Sequence, residues 1–155
     1  NQRNTSFGAV VFLDLDNFKP LNDQHGHQAG DQLLVEVAQR LRTSVRASDT
    51  VARLGGDEFV VLLDDLGNKA EQAKAQALQL AGKLIERLSQ PYELEGTEGD
   101  GPITHRCTAS AGVALFAGLH SGAEALLDQA DAAMYQAKQA GRNRAHCSGA
   151  AAPAA

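Results

Sequence analysis

The chain has 155 residues, a hydrophobic share of 43% and a charged share of 21%. That length suits one domain with a core of its own, and the composition argues against global disorder. The formal net charge of −5 argues against a nucleic-acid-binding protein that works through a broad basic surface. We therefore expect one domain over residues 1–147, a flexible alanine-rich tail over 148–155, and no nucleic-acid partner.

The two cysteines, Cys107 and Cys147, lie far apart and outside any C-x-x-C pair. This spacing suggests neither a zinc ribbon nor a disulfide framework, so we expect free thiols in a reducing cytoplasm. No segment approaches the roughly 18 apolar residues of a membrane span, and the N-terminus lacks the pattern of a signal peptide. We expect a soluble, cytoplasmic piece, while a membrane anchor elsewhere in a longer parent protein stays open.

The first half of the chain opens with Gly8–Leu15, a valine-rich apolar run typical of a strand buried on both faces. Asn17–Gln24 can form one or two helical turns, and the spacing of apolar residues in Asp31–Val45 predicts an amphipathic helix. Two β-prone segments, Thr50–Leu54 and Glu58–Leu63, flank a glycine pair. They predict a hairpin whose tip is exposed.

The second half begins with Lys69–Leu88, whose alanine- and leucine-rich face predicts a long helix. Glu95–Pro102 has the glycines and proline of a loop, and Thr104–Phe116 returns to a strand pattern. Ala123–Ala140 is a last predicted helix, closed by a glycine. The resulting order, β-α-α-β-β-α-β-α, predicts an α+β fold with a mixed central β-sheet and flanking helices.

Two aspartates, Asp14 and Asp16, close the first predicted strand, and a helix start follows at once. Free N–H groups at a helix N-terminus bind phosphate oxygens, and a carboxylate at the adjoining strand end can hold Mg²⁺. A carboxylate at the end of an apolar strand is costly without a partner, which favours such a role for Asp14. For Asp16, a plain helix cap is an equal alternative.

The predicted hairpin tip combines glycines with paired acids. Gly55 and Gly56 let the backbone approach a bulky ligand, while Asp57 and Glu58 would repel each other without a cation or hydrogen-bond donors. A bare Gly-Gly-Asp is usually only a turn, but the flanking acids and arginine favour a ligand site. We expect Asp57 to pair with Asp14 across neighbouring strands.

Five separated blocks of sequence resemble the GGDEF family of diguanylate cyclase domains, in order and with compatible spacing. The resemblance implies a nucleotidyl-cyclase fold, similar to a polymerase palm, for residues 1–147. The blocks are Phe12 to Lys19; Asn22-Asp23 with Gly26-His27 and Gly30-Asp31; Arg53 to Phe59; Ser110 to Ala114; and Ala130 to Asn143.

The resemblance implies a site for Mg²⁺ (or Mn²⁺) where the first strand meets the hairpin. Its ligands would be the carboxylates of Asp14 and Asp57 and the carbonyl of Leu15, with Glu58 as a further candidate. The family also assigns Asp57 a catalytic role. Lys19 would stabilise the charge that develops during the reaction.

For the triphosphate of a bound GTP, the resemblance implies cationic and backbone donors. The cations would be Lys19, Lys138 and Arg142, helped by the backbone N–H groups of Asn17 and Phe18. Lys138 and Arg142 are four residues apart, so we expect one helix face to present both. A solvated helix end that favours cations is the plainer alternative for this pair.

Asn22 and Asp31 match the family's guanine-recognition pair. A carboxylate can accept from both N1–H and the exocyclic amine of guanine, whereas adenine has an acceptor at N1, so the pair would discriminate between the bases. Asp31 could also be a helix N-cap, or serve both purposes. His25 and His27 have a spacing found in zinc sites, but no third ligand matches them.

Arg46 and Asp49 form an R-x-x-D pattern five residues before Gly55, which is the position of the family's product-inhibition motif. Such an arginine can stack on guanine and bond its edge, while the carboxylate accepts from the base. A local ion pair, worth little on a surface, is the alternative.

The resemblance implies an active diguanylate cyclase, which joins two GTP molecules into cyclic di-GMP at the interface of a homodimer. A silent GTP- or cyclic di-GMP-binding module and a structural adaptor are the competing functions. The acidic pair at the hairpin is intact, which favours the enzyme. Sensory or phosphodiesterase domains are expected elsewhere in the parent chain.

Overall fold

The computed structural model of the chain describes residues 6–16, 18–95, 102–117 and 122–148, and within its first helix the side chains at positions 19, 21, 22, 24 and 25 are not described. Helices are interspersed among the strands along the described parts of the chain. Their order is β1 (Phe7–Leu15), α1 (Phe18–Arg42), β2 (Thr50–Gly55), β3 (Glu58–Leu63), α2 (Ala70–Leu88), β4 (Tyr92–Leu94), β5 (Ile103–His105), β6 (Ala109–Ala117), α3 (Ala123–Gln139) and β7 (Ala145–Cys147).

The main sheet has five strands in the order β2-β3-β1-β6-β7, so the first strand of the sequence is its centre. β1 is antiparallel to both neighbours, and β6 and β7 run parallel, which makes the sheet mixed. Nearly every residue of β1 is buried, as its uninterrupted apolar sequence predicts for a strand covered on both faces. The predicted α+β class is confirmed.

Helices cover the two faces of this sheet unequally. Side chains of α1 and α2 pack with Val11 and Leu13 in the larger core, while α3 packs on Val10 and Phe12 in the smaller one. α3 lies very close to β6 because Gly112 has no side chain. A Cβ there would lie 1.9 Å from the carbonyl oxygen of Ala130.

Local patterns predicted the hairpin, α2 and α3 to within a few residues. The two helices expected over Asn17–Gln24 and Asp31–Val45 correspond to the two parts of α1, which is kinked between them and ends earlier than expected, at Arg42. Gly26 forms the interruption with φ 87° and ψ 172°, a backbone conformation that glycine adopts readily.

The strand expected over Thr104–Phe116 is divided, and this prediction was wrong in its extent. Ile103–His105 pairs with Tyr92–Leu94 in a separate two-stranded sheet, and β6 begins only at Ala109. The short strands β4 and β7 had no counterpart in the sequence-based prediction. Each has three residues, too few for a periodic pattern.

Arg40 holds α1 against the C-terminal end of α2. Its guanidinium donates to the carbonyls of Arg87, Gln90 and Pro91 at 2.8–2.9 Å and lies 3.7 Å above the ring of Tyr92. These bonds satisfy carbonyls that a helix end leaves without partners. No helix among the described residues is both long and apolar enough to cross a membrane.

Candidate active site

Three acidic side chains meet where β1 and β3 pair at one end of the sheet. The register sets Asp14 opposite Glu58, and the Leu15 N–H donates to the Asp57 carbonyl at 3.2 Å. The carboxyl groups of Asp14 and Asp57 are close enough for the charge of Asp57 to raise the pKa of Asp14. The expected pairing of Asp57 with Asp14 is therefore present.

The surroundings of Asp14 oppose its ionisation. Burial and the negative charge of Asp57 raise the pKa of Asp14 to about 7, although Lys138, with its Nζ 3.5 Å from Asp14 Oδ1, acts in the opposite direction. Two neighbouring carboxylates repel each other, so both ionise only when a cation lies between or beside them. The pair is therefore suited to a cationic ligand.

The donor chemistry of this pair fits Mg²⁺. No three or more His, Cys, Asp or Glu side chains within the described ranges are grouped so as to hold a metal ion by themselves. Mg²⁺ does not need such a group, because it is usually held by one or two carboxylates together with substrate phosphates and water. Asp14 and Asp57 could supply the carboxylates, and Leu15, the last residue of β1, could add its carbonyl.

The hairpin tip next to these acids is open. Gly55 and Gly56 are exposed, and a Cβ on either would meet nothing within 4 Å, so a ligand can approach the backbone. Gly56 has φ 47°, and the Arg53 Nε donates to its carbonyl at 3.0 Å. The Arg53 side chain thus holds the turn from one side.

Lys138 lies between two carboxylates. Its Nζ is 3.0 Å from Asp16 Oδ1 and 3.5 Å from Asp14 Oδ1. Arg142, by contrast, lies beyond α3, which ends at Gln139, in a turn where its own φ is 63°. The expectation that one helix face presents both cations was therefore wrong, and Arg142 extends from an exposed turn.

A cleft of about 420 Å³ lies between α1 and the hairpin. Its lining includes the carboxylate of Asp31, the apolar side chains of Leu34 and Phe59, and Arg53. A few polar groups on a mostly apolar wall are typical of a small-molecule site of this size. Asp31 lies inside the second part of α1, five residues beyond the interruption at Gly26, so the alternative that it is a helix N-cap was wrong.

The profile described as "Diguanylate cyclase, GGDEF domain" matches residues 1–144. The chain belongs to the GGDEF domain family. MucR of Pseudomonas aeruginosa, a bifunctional diguanylate cyclase and cyclic di-GMP phosphodiesterase, is 50% identical over 135 residues, which are 87% of this chain and 18% of MucR. This GGDEF domain thus spans less than a fifth of that relative.

Solved structures agree with the GGDEF assignment. The crystal structure of the GGDEF domain of TpbB from Pseudomonas aeruginosa is 40% identical with a TM-score of 0.77, covering 94% of this chain and 84% of that one. The GGDEF domain of DgcB from Caulobacter crescentus, in complex with cyclic di-GMP, is 26% identical with a TM-score of 0.75, covering 94% and 80%.

In this GGDEF domain Arg46 and Asp49 form the local ion pair that the sequence left as an alternative. The Asp49 carboxylate is only 2% exposed and accepts from the Arg46 guanidinium at 3.2 Å. It also accepts from the backbone N–H groups of Arg46 and Asp64, each at 3.0 Å. Burial alone would raise the pKa of Asp49, but these donors and the Arg46 charge outweigh it and lower the pKa.

Arg46 remains accessible despite this bond. Its side chain is 54% exposed, and it lines a cleft of about 370 Å³ together with Gln76 and Leu80 of α2. Asp49 is occupied in holding its loop, whereas the outer face of the Arg46 guanidinium can still contact another molecule.

Several predicted GGDEF site residues lie outside the described parts. Asn17 is among the residues the structure does not describe, and the side chains of Lys19, Asn22 and His25 are not described either. Their predicted roles, and the histidine pair considered for zinc, are therefore not addressed by the geometry. Phe18 is half-buried as the first residue of α1.

Asp16 is the residue whose importance the sequence did not reveal. It is 1% exposed, and its described side-chain partners lie on Thr108, Ser110, Lys138 and Asn143. Burial favours a raised pKa, but those hydrogen bonds and the Lys138 charge lower it. The sequence offered one indication of a shared site. Asp16 comes two residues after Asp14, and alternate residues of an extended segment lie on the same face.

Proposed function

We propose that this GGDEF domain is a diguanylate cyclase that joins two GTP molecules into cyclic di-GMP and releases two pyrophosphates. The observation that carries the proposal is that strand pairing makes Asp14 and Asp57 neighbours at the end of β1, with the Lys138 ammonium 3.5 Å from Asp14. Membership of the family and the diguanylate cyclase activity of MucR support it.

The reaction is two phosphoryl transfers of the same kind. The 3′-oxygen of one GTP forms a bond to the α-phosphorus of the other, and the bond from that phosphorus to the α–β bridging oxygen breaks. Pyrophosphate leaves with the electron pair, and the 3′-hydroxyl proton is released. A second, reciprocal transfer closes the ring. Catalysis of such a step consists mainly of positioning and charge stabilisation.

Asp14 and Asp57, with the Leu15 carbonyl, are the residues we propose to hold Mg²⁺ (or Mn²⁺), and Glu58 is a further candidate ligand. When bound, the metal ion would neutralise phosphate charge and polarise the reacting oxygen. Burial and the charge of Asp57 raise the pKa of Asp14 to about 7. The positive charge of a bound metal ion would oppose that rise and keep Asp14 ionised.

The triphosphate would be bound by cations on two sides of the acidic pair. We assign this role to Lys19, Lys138 and Arg142, together with the backbone N–H groups of Asn17 and Phe18. Lys138 has the strongest support, because its ammonium already lies beside Asp14. The open backbone at Gly55 and Gly56 leaves room for the ligand.

Guanine would be recognised in the cleft between α1 and the hairpin. The Asp31 carboxylate lines it and can accept from N1–H and the exocyclic amine, which adenine does not offer together. Asn22, on the same helix, is the second proposed contact.

Two copies of the domain would have to face each other, because one domain holds one GTP. We propose a homodimer for catalysis, and inhibition by the product cyclic di-GMP through Arg46 and Asp49. The complex of DgcB with cyclic di-GMP supports binding of that product within the family. In the whole protein, we expect sensory or phosphodiesterase domains to accompany this one, in the cytoplasm, as MucR is bifunctional.

The deciding experiment is to incubate the chain at high concentration with GTP and Mg²⁺ and to identify the products by mass. Cyclic di-GMP and pyrophosphate in a 1:2 ratio are expected. Asp57→Asn should lower the rate by at least about a hundredfold, on the scale of losing a group that stabilises transition-state charge. Asp128→Asn, an exposed acid on α3, is the matched control and should keep the rate.

Absence of cyclic di-GMP with a folded protein would contradict the proposal. Calorimetric binding of GTP or of cyclic di-GMP under those conditions would then identify a silent binding module instead.

A further inference from the structure

One enclosed carboxylate joins the elements that carry the candidate phosphate-binding cations. The Asp16 side chain has no exposed surface. From the β6 side, the Thr108 hydroxyl donates to its Oδ2 at 2.6 Å and the Ser110 hydroxyl to its Oδ1 at 3.0 Å. From the α3 side, Lys138 Nζ donates to Oδ1 at 3.0 Å and the Asn143 N–H to Oδ2 at 3.3 Å.

Asp16 fixes the ammonium of Lys138 without reaching the ligand cleft itself. A lysine side chain has several rotatable bonds, and its charge would otherwise be spread over a wide volume. The short charge-assisted bond to Asp16 limits that freedom. Because an ammonium has three donors, Lys138 can keep this bond while it contacts Asp14 or a phosphate. Its side chain is 22% exposed, so part of the group is accessible.

The same carboxylate holds the turn that carries Arg142. Gly141, Arg142 and Asn143 have φ values of 129°, 63° and 52°, and the left-handed region is costly for the two residues that are not glycine. The Arg142 N–H donates to the Ala137 carbonyl at 3.0 Å, and the Asn143 N–H donates to Asp16. These two hydrogen bonds hold the backbone of the turn at Arg142 and at Asn143.

We propose that Asp16 is the positioning residue of the triphosphate site, which orients Lys138 and holds the backbone of Arg142 without touching the substrate. The inference rests on the proposed function, since it assumes that these two cations bind the phosphates of GTP. A purely structural role, pinning α3 to the sheet, would weaken binding of every part of the ligand. A positioning role weakens binding of the phosphates alone.

The test measures dissociation constants of the 155-residue chain for guanosine, GMP and the α,β-methylene analogue of GTP, all with Mg²⁺. The analogue lacks the bond that breaks, so turnover cannot interfere. Asp16→Asn should raise the dissociation constant for the analogue by about 10–100-fold, the scale seen when a residue that orients a ligand-binding group is lost. Guanosine binding should change less than about twofold. Combining Asp16→Asn with Lys138→Met should add little to the loss from either change alone.

A second pair of variants tests the same point with less risk to folding. Thr108→Val removes the hydroxyl that holds Asp16 Oδ2, and Thr108→Ser keeps it. We expect a severalfold loss of triphosphate affinity in the first and near wild-type affinity in the second. This pair decides the matter if Asp16→Asn does not fold.

The outcomes separate the two claims. If the wild type binds the triphosphate analogue no more tightly than guanosine, the proposed phosphate site is wrong, and so is this inference. If the wild type gains affinity but Asp16→Asn weakens guanosine and the analogue equally, or if the double variant shows additive losses, only the positioning role is overturned.

Discussion

Asp14 and Asp16 are two residues apart on the same edge of the fold, yet their surroundings shift the pKa values of their carboxyl groups in opposite directions. Burial and Asp57 raise the pKa of Asp14 to about 7, while hydrogen-bond donors outweigh burial and lower the pKa of Asp16. A carboxylate beside another acid needs a cation, whereas a carboxylate surrounded by donors is already stable. The first is therefore suited to a metal ligand and the second to a fixed support.

At the same scale, Asp31 should determine the choice of base. Asp31→Asn removes an acceptor for the two N–H groups of guanine, so the preference for GTP over ATP should fall by about 10–100-fold. Competition between the two nucleotides in a binding assay measures this. Gln39→Ala, an exposed change further along α1, should keep the preference, and an unchanged preference in Asp31→Asn would remove Asp31 from the base site.

Asp49 gives a stability prediction with a defined pH dependence. Its folded-state pKa is lowered, so the unfolded state binds more protons, and the stabilisation is complete above about pH 4 and is lost as the pH falls through the folded-state pKa. Asp49→Asn should lower the free energy of unfolding by about 1–3 kcal/mol at pH 7. Urea denaturation at pH 7, 5 and 3 should show this difference shrinking only at the lowest pH. A difference that stays constant would contradict the assignment.

At the scale of elements, the distance between α3 and the sheet controls where Lys138 lies. That distance depends on Gly112, since a Cβ there would be 1.9 Å from the Ala130 carbonyl oxygen and 2.3 Å from the Met134 nitrogen. Backbone atoms cannot move aside as a flexible side chain can. A change at this strand position should therefore act on the site through the helix.

Gly112→Ala should lower the free energy of unfolding by about 1–3 kcal/mol, as for other overpacked sites, and should weaken triphosphate binding because α3 carries Lys138. Denaturant unfolding and nucleotide titration measure the two effects. Gly82→Ala is the matched control, because its Cβ would meet nothing within 4 Å and helix propensity favours alanine by about 1 kcal/mol. Equal stability changes in the two variants would show that α3 can adjust.

At the scale of the whole molecule, the proposed reaction would require two domains, each with its own acidic pair and nucleotide. Initial rate should therefore climb faster than linearly with protein concentration while the dimer is sparsely populated. A dilution series at saturating GTP, with sedimentation of the same samples, measures rate and assembly together. A strictly proportional rate over that range would reject obligatory dimerisation.

The proposed product inhibition is tested separately from the assembly. Arg46→Ala should relieve inhibition by added cyclic di-GMP while leaving the initial rate nearly unchanged, because Arg46 lies on a separate cleft from Asp31. The Asp49 carboxylate keeps its backbone donor at Asp64, so the loop should persist. Equal sensitivity to product in the variant and the wild type would reject the inhibitory site.

The sequence by itself determined the elements whose cause is local. The apolar run of β1, the glycine turn between β2 and β3, and the helical spacing in α2 each arise within a few neighbouring residues, so their positions could be predicted. The motifs around Asp14 and Asp57 likewise indicated a shared acidic site through their resemblance to the family, although the pairing of β1 with β3 that brings them together is not local.

Only the tertiary structure decided the features that depend on distant parts of the chain. The three-residue strand β7 exists through its pairing with β6, far away in the sequence, and β4 exists through its pairing with β5. Lys138 lies within α3, whereas Arg142 lies beyond its end. That end is at Gln139, one residue earlier than the sequence predicted. Asp16 acquired its role because Thr108, Ser110 and Lys138, 92 to 122 positions away, fold around it. The burial of such a hydrogen-bonded carboxylate depends on tertiary packing, which no local sequence pattern predicts.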